Sequence, residues 1–181
     1  MIRGALFPGL LGEGFAALHP QVRIVHSGQS RRWTGIASVQ RGSHPLARIA
    51  AKVAGLPPTQ HQKPMTVTIE ARNGREIWTR HFGDAAPMRS TLFDRGGLLV
   101  ERMGSLSLEF QVNVRDAGMS WYLRRVTFLG ITFPHRLFQV QARVDAATGY
   151  RFFVSVGLAG MGELIRYEGA LDASAQSPPC A

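Results

Sequence analysis

Glu101 and Arg102 stand side by side in GGLLVERMGSLSLEFQV, residues 96–112, a stretch whose later half alternates cleanly between apolar and polar side chains. Neighbours on a strand point to opposite faces, so the pair must divide. If Leu98 and Val100 pack the core, Arg102 follows them inward; if Leu99 does, Glu101 is inside. The counter-charge for an inward Glu101 is Arg80 in WTRHF, where Trp78, Arg80 and Phe82 share a face. A carboxylate and a guanidinium so placed can end a hairpin on a solvated rim or lock it as a buried pair. They can also anchor a polar group inside a pocket, or serve acid–base chemistry. The reading adopted is that Glu101 and Arg102 end a hairpin, with Glu101 a rim or lock residue rather than a catalyst.

Other chemistry has less support. The histidines, His19, His26, His44, His61, His81 and His135, show no His-x-His, His-x-x-x-His or helical Glu-x-x-His spacing, so no metal is expected, and no cofactor either. His26, close to Arg23, is placed to line an opening. Ser90, Ser105, Ser107 and Ser120 lack a nucleophile elbow, and Cys180 lies in a tail, so nucleophilic catalysis has no motif and enzyme status stays open. The candidate ligand-binding residues are Arg80, Glu101, Arg102, Trp78, His26 and Arg48.

Composition bounds the partners. The chain of 181 residues is 45% hydrophobic and 18% charged, enough for one sizeable core, since folding at this size buries roughly 70% of the surface of the unfolded chain. The formal charge is +9, carried almost wholly by arginine, but the arginines are spread from Arg3 to Arg166 without a basic tail or a groove-reading motif. Trp33 after Arg31-Arg32 and Trp121-Tyr122 before Arg124-Arg125 can stack bases, yet aromatic residues are good strand formers, and nucleic acid is not the expected partner. One cysteine excludes an internal disulfide framework. No apolar run reaches the length of about 18 residues that a spanning helix needs, and Pro8, Gly9 and Gly12 interrupt any secretory core, so a cytoplasmic protein is expected.

The elements that must position these residues follow from periodicity. Phe7, Leu10, Leu11, Phe15 and Leu18 have helical spacing over 5–18, weakened by glycines. A second helix over 44–56 starts at Pro45, ends at Gly55, carries Arg48 and sets Leu46, Ile49, Ala50 and Val53 in one stripe. From Met65 onward the period is 2, with strands over 65–71, 76–82, 88–93, 106–115, 119–129, 137–145, 150–158 and 163–171, joined by short turns such as Asn73-Gly74. Upstream, 33–41 is a strand and 22–26 a candidate partner for it. In MSWYLRRVTFLGITF, Trp121 and Leu123 lie on one face and Tyr122, Val126 and Phe128 on the other. The second face either packs on the N-terminal helix or forms an exposed apolar patch. Short connections demand antiparallel neighbours. The expected fold is α+β: a single domain over 1–172, a long antiparallel meander of about nine strands curved into a half-open barrel with one or two helices packed on or inside it, and a flexible tail over 173–181.

The ordered set LFPGLLGEGFAALHPQVRIVH, RGSHPLARIAAKVAGLPP, WTRHFG, GGLLVERMGSLSLEF, LGITFP and RYEGAL resembles the bacterial family catalogued as domain of unknown function 4166, over residues 6–171. Arg23, His26, Arg48, Trp78, Arg80, Glu101, Arg102, Arg166 and Tyr167 are among the positions that match. Val144, where an acidic residue is expected, and Ala170, where an aromatic is, depart from the pattern. The family's activity is unassigned, so the resemblance carries no catalytic residue. It does imply that relatives occur alone or attached to nucleotide-binding dehydrogenase-like or epimerase-like domains. The expected function is a binding module for an apolar or amphipathic, lipid-like small molecule, with a few arginines at its mouth suited to a carboxylate. The alternatives are an accessory or catalytic domain working with a nucleotide-binding, dehydrogenase-like oxidoreductase, and a protein-interaction domain.

Overall fold

A computed structural model describes residues 4–53, 56–145 and 149–173. Gly55 and the tail from 174 lie outside these, so the expectations placed there concern residues not described. The chain enters through α1 (Leu6–Leu11), a 3-10 turn (Gly12–Ala17) and α2 (Pro20–Val25). The single helix expected over 5–18 is thus two pieces, divided at Gly12, whose φ of 53° leaves the helical region. The strand expected at 22–26 is instead α2. Pro20 presets helical φ at the first position, and the His19 ring accepts a hydrogen bond from the Gln21 N–H at 3.3 Å, capping the segment.

Among the described residues eleven strands follow, interrupted once by α3 (Pro45–Val53): β1 (Arg31–Arg41), β2 (Gln60–Arg72), β3 (Arg75–Phe82), β4 (Met88–Arg95), β5 (Leu98–Met103), β6 (Leu106–Arg115), β7 (Gly118–Phe128), β8 (Ile131–Phe133), β9 (Phe138–Asp145), β10 (Tyr150–Leu158) and β11 (Gly162–Leu171). All pairings are antiparallel, in the order β6-β5-β4-β3-β2-β1-β11-β10-β9-β7, and β6 pairs again with β7. The barrel is therefore closed with ten strands in the ring, not half-open. The reason is β1: it pairs with β2 on one edge and, through Gly35 opposite Leu171, with β11 on the other, which removes both edges the meander would have left. A side chain at Gly35 would run into the Ala170 carbonyl, so the two strands approach only because this residue has none. β8 hangs outside the ring on β7, whose pairing with β9 is short, from Met119–Val144 to Tyr122–Gln141.

Interior positions alternate as the period predicts: Met65, Val67 and Ile69 on β2, Trp78, Arg80 and Phe82 on β3, Leu108 and Phe110 on β6. In β7 the register slips between Glu109–Arg125 and Phe110–Leu123, a bulge that adds one residue. Val126 is thereby turned inward and buried, away from the Tyr122 face assigned to it by simple alternation. Phe128 follows Val126 in phase but lies at the rim opposite Leu106, and it and the outward Tyr122 are about half exposed, so the second apolar face does not pack on the N-terminal helices.

Each barrel end has its own cover. Leu6, Phe7, Leu18, Val22 and Val25 of the N-terminal helices join the core at the end that carries the 73–74 and 116–117 turns. α3 lies over the opposite end. Among its described side chains Ala47 and Ala51 are buried and Ile49, from the stripe expected to face the core, is 60% exposed; those of Leu46, Ala50 and Val53, the rest of that stripe, lie outside the description. Small residues win here because α3 sits close to the end of β1, where an added Cβ on Gly42 would meet both Ala47 and the Glu163 carbonyl. Among the described residues no helix is long and apolar enough to cross a membrane.

Candidate functional site

The odd-numbered residues of β5 face inward, so Leu99 and Glu101 are interior and Arg102 is exposed. Val100 is also buried, on the outer face between its cross-strand partners Phe93 and Glu109. Arg80, on β3, and Glu101 are separated by β4. The long guanidinium arm crosses that strand, donating to Glu101 Oε1 at 3.1 Å and to Ser90 Oγ, on β4, at 2.9 Å. Its head lies 5.1 Å from the centre of the Trp78 ring. Burial works most strongly against the Arg80 charge, but Glu101, Tyr167 and Tyr150 together outweigh it and the pKa rises above the ordinary arginine value. The pair is buried inside the barrel.

A second polar layer lies toward the N-terminal plug. His26 is fully buried, with Nε2 3.0 Å from the Tyr150 hydroxyl, its ring stacked on Trp78 at 5.4 Å and against the edge of Phe7 at 4.3 Å. Burial lowers its pKa to about 3, so the ring is neutral at neutral pH. Glu76, one inward position before Trp78, accepts from the indole N–H at 2.8 Å. Burial raises its carboxyl to about 7, against the lowering effect of that hydrogen bond. Tyr150 is pushed up by burial as well and stays protonated.

Between this floor and α3 the interior is not filled. A cavity of about 230 Å³ remains, larger than the about 150 Å³ that suffices for a benzene molecule. Hydrocarbon forms most of its wall: Met65, Leu108, Val140, Val154 and Ile165 in the middle, then Leu56, Met103, Leu106, Phe138 and Val156 toward the α3 end. Arg80, Glu101, His26 and Tyr150 contribute the polar part, together with Tyr167 and Arg143. Tyr167 packs edge-on against Phe82, and its hydroxyl makes no hydrogen bond among the described residues. Burial pushes that hydroxyl up to about 12, so it is a proton donor at neutral pH.

Of the six residues singled out in the sequence, Trp78, Arg80, Glu101 and His26 meet at the cavity. Arg102 and Arg48 do not. Arg102 points outward, 5.7 Å from the Phe93 ring, and Arg48 lies exposed on α3 in an outer groove with Arg41 and Pro45. Arg80, read from the sequence as the counter-charge for an inward Glu101, lies deep in the barrel with its charge matched by that carboxylate. Sequence reasoning missed Glu76, Ser90, Tyr150 and Tyr167 as members. Glu76 was within reach, being in phase with Trp78 and Arg80, and Tyr167 is in phase with Ile165 and Leu171 on β11.

A closed antiparallel barrel, plugged at one end and holding an apolar cavity over an internally paired polar floor, is the class of protein that this geometry defines. The family model described as Domain of unknown function (DUF4166) matches residues 18–171, and the chain belongs to that family. A comparison with curated proteins found no match.

Proposed function

We propose that the barrel is a binding module for an apolar or amphipathic, lipid-like molecule. The observation that carries this reading is the cavity: evolution of a core ordinarily fills its interior to crystal-like density, and here the wall residues leave room for a ligand of several carbons. The polar floor refines the ligand. Arg80 and Glu101 neutralise each other, His26 is uncharged, and the Tyr167 hydroxyl is an unengaged donor. A neutral polar end such as a hydroxyl, ester or amide suits this floor better than the carboxylate suggested by the sequence, which would compete with Glu101 for Arg80.

The test is mass spectrometry of the organic extract from natively purified, then denatured, protein. A recurrent neutral amphiphile near equal molar amount is the expected result. A recurrent fatty acid would overturn the neutral-headgroup assignment, and an empty extract from a well-folded sample would overturn the binding reading. Tyr167→Phe is expected to weaken binding of a fluorescent polyene alcohol about tenfold, the worth of one lost hydrogen bond, while leaving thermal stability nearly unchanged. Equal affinity in the variant would remove Tyr167 from the site.

A further inference from the structure

The β7–β8 turn carries an unusual residue. Leu129 and Gly130 have φ of 50° and 81°, the pattern of a two-residue hairpin turn that normally selects Asn-Gly, because positive φ is unfavourable for a side chain such as leucine. Leu129 is also 68% exposed. Neither the backbone nor packing accounts for leucine there. It is flanked by Phe128 and Ile131, with Leu137 nearby in sequence, all of them more than 40% exposed. This apolar apex borders the cavity wall: Phe128 pairs with Leu106, Leu137 precedes Phe138, and both Leu106 and Phe138 line the interior.

The apex is at the α3 end of the barrel, where Lys63, Arg89, Arg102, Arg136 and, on α3 itself, Arg48 are exposed. The carboxylates at this end are Asp84 and Glu163, and Glu163 is held by Arg166 at 2.8 Å. We infer that the α3 end docks on an anionic lipid bilayer, with Leu129 and Ile131 entering the headgroup boundary and the cations meeting lipid phosphates. The inference rests on the binding reading of the cavity, since it sets the cavity rim against the reservoir from which a lipid-like ligand would come. A narrow hydrophobic tip among cations matches the chemistry of an interface that is apolar below and negative above.

The experiment is flotation of the full chain with vesicles of phosphatidylcholine alone and of phosphatidylcholine mixed equally with phosphatidylglycerol. Salt-sensitive binding to the anionic vesicles is expected, falling at least about tenfold for Leu129→Gly combined with Ile131→Ser. Leu129→Gly alone relieves the backbone conformation, so it should weaken vesicle binding while leaving the melting temperature equal or higher, an outcome that a merely structural leucine would not give. Absence of vesicle binding, binding indifferent to lipid charge and to these substitutions, or a dimer in solution that hides the apex would each overturn the proposal. Extraction of the same samples separates the two readings. Lipid in the barrel without vesicle binding defeats docking alone, and vesicle binding with an empty barrel defeats the cavity reading alone.

Discussion

Glu101 answers to Arg80 before it answers to any ligand. Removing one partner of a buried pair leaves the other charge without compensation, a penalty of about 3–5 kcal/mol. Glu101→Gln is therefore expected to destabilise the fold by about that amount in denaturant titrations, and Arg80→Met with Glu101→Leu to recover most of it; a near-neutral single substitution would show that the pair is not a lock. Glu76 and His26 set a pH dependence. The Glu76 carboxyl is raised from 4.5 to about 7, so the folded chain holds a proton that the unfolded chain has lost, and stability falls as pH rises through that interval. His26 is lowered from 6.5 to about 3: the unfolded chain gains a proton that the fold refuses, and stability falls as pH drops through that range. The two slopes oppose each other between 4.5 and 6.5, so a flat optimum is expected there. The advantage of Glu76→Gln over the native chain should grow from pH 4.5 to 7 by about 1.4 kcal/mol per unit, measured by unfolding at each pH. A constant difference would mean that Glu76 titrates normally.

At the scale of elements, the covers show where periodicity stops being informative. Strands were readable because each buries one face, and Met65, Leu108 and Phe110 fell on the interior side as alternation requires. α3 was readable as a helix but not in its orientation: bulk apolar residues suggested Ile49 toward the core, whereas close approach to β1 selected Ala47. Ala47→Leu is accordingly expected to lift α3 and destabilise the protein by about 1–3 kcal/mol, an overpacking effect readable as a lower melting temperature. An unchanged melting temperature would mean that α3 rides loosely on the barrel. The β7 bulge was equally invisible, since one extra residue leaves composition and period almost intact while moving Val126 from the outer face to the core. Arg102 illustrates the same limit at a site, because Glu101 and Arg102 differ only in phase, and phase depends on which leucine of the strand turns inward.

For the molecule as a whole, strand content and antiparallel order could be read from turn chemistry, but closure could not. Whether a meander remains open depends on a pairing between its ends, and no local pattern in β1 or β11 announces the partner. The polar floor was half legible for a related reason: Trp78, Arg80 and Glu101 lie in strands close in sequence, while Tyr150 and Tyr167 reach the same interior from strands β10 and β11. That ring seam also governs synthesis. During translation β1 emerges before the other described strands and its second partner, β11, after them, so the nascent barrel waits with the β11-facing edge of Gly35 to Arg41 unpaired until residues 165–171 have left the ribosome. Through that interval the β1 edge is open to pairing with other chains. A newly made chain is then most exposed to aggregation just before its final strand is released, and yield in the cell should respond to translation rate and chaperone supply more than the finished barrel's stability would suggest.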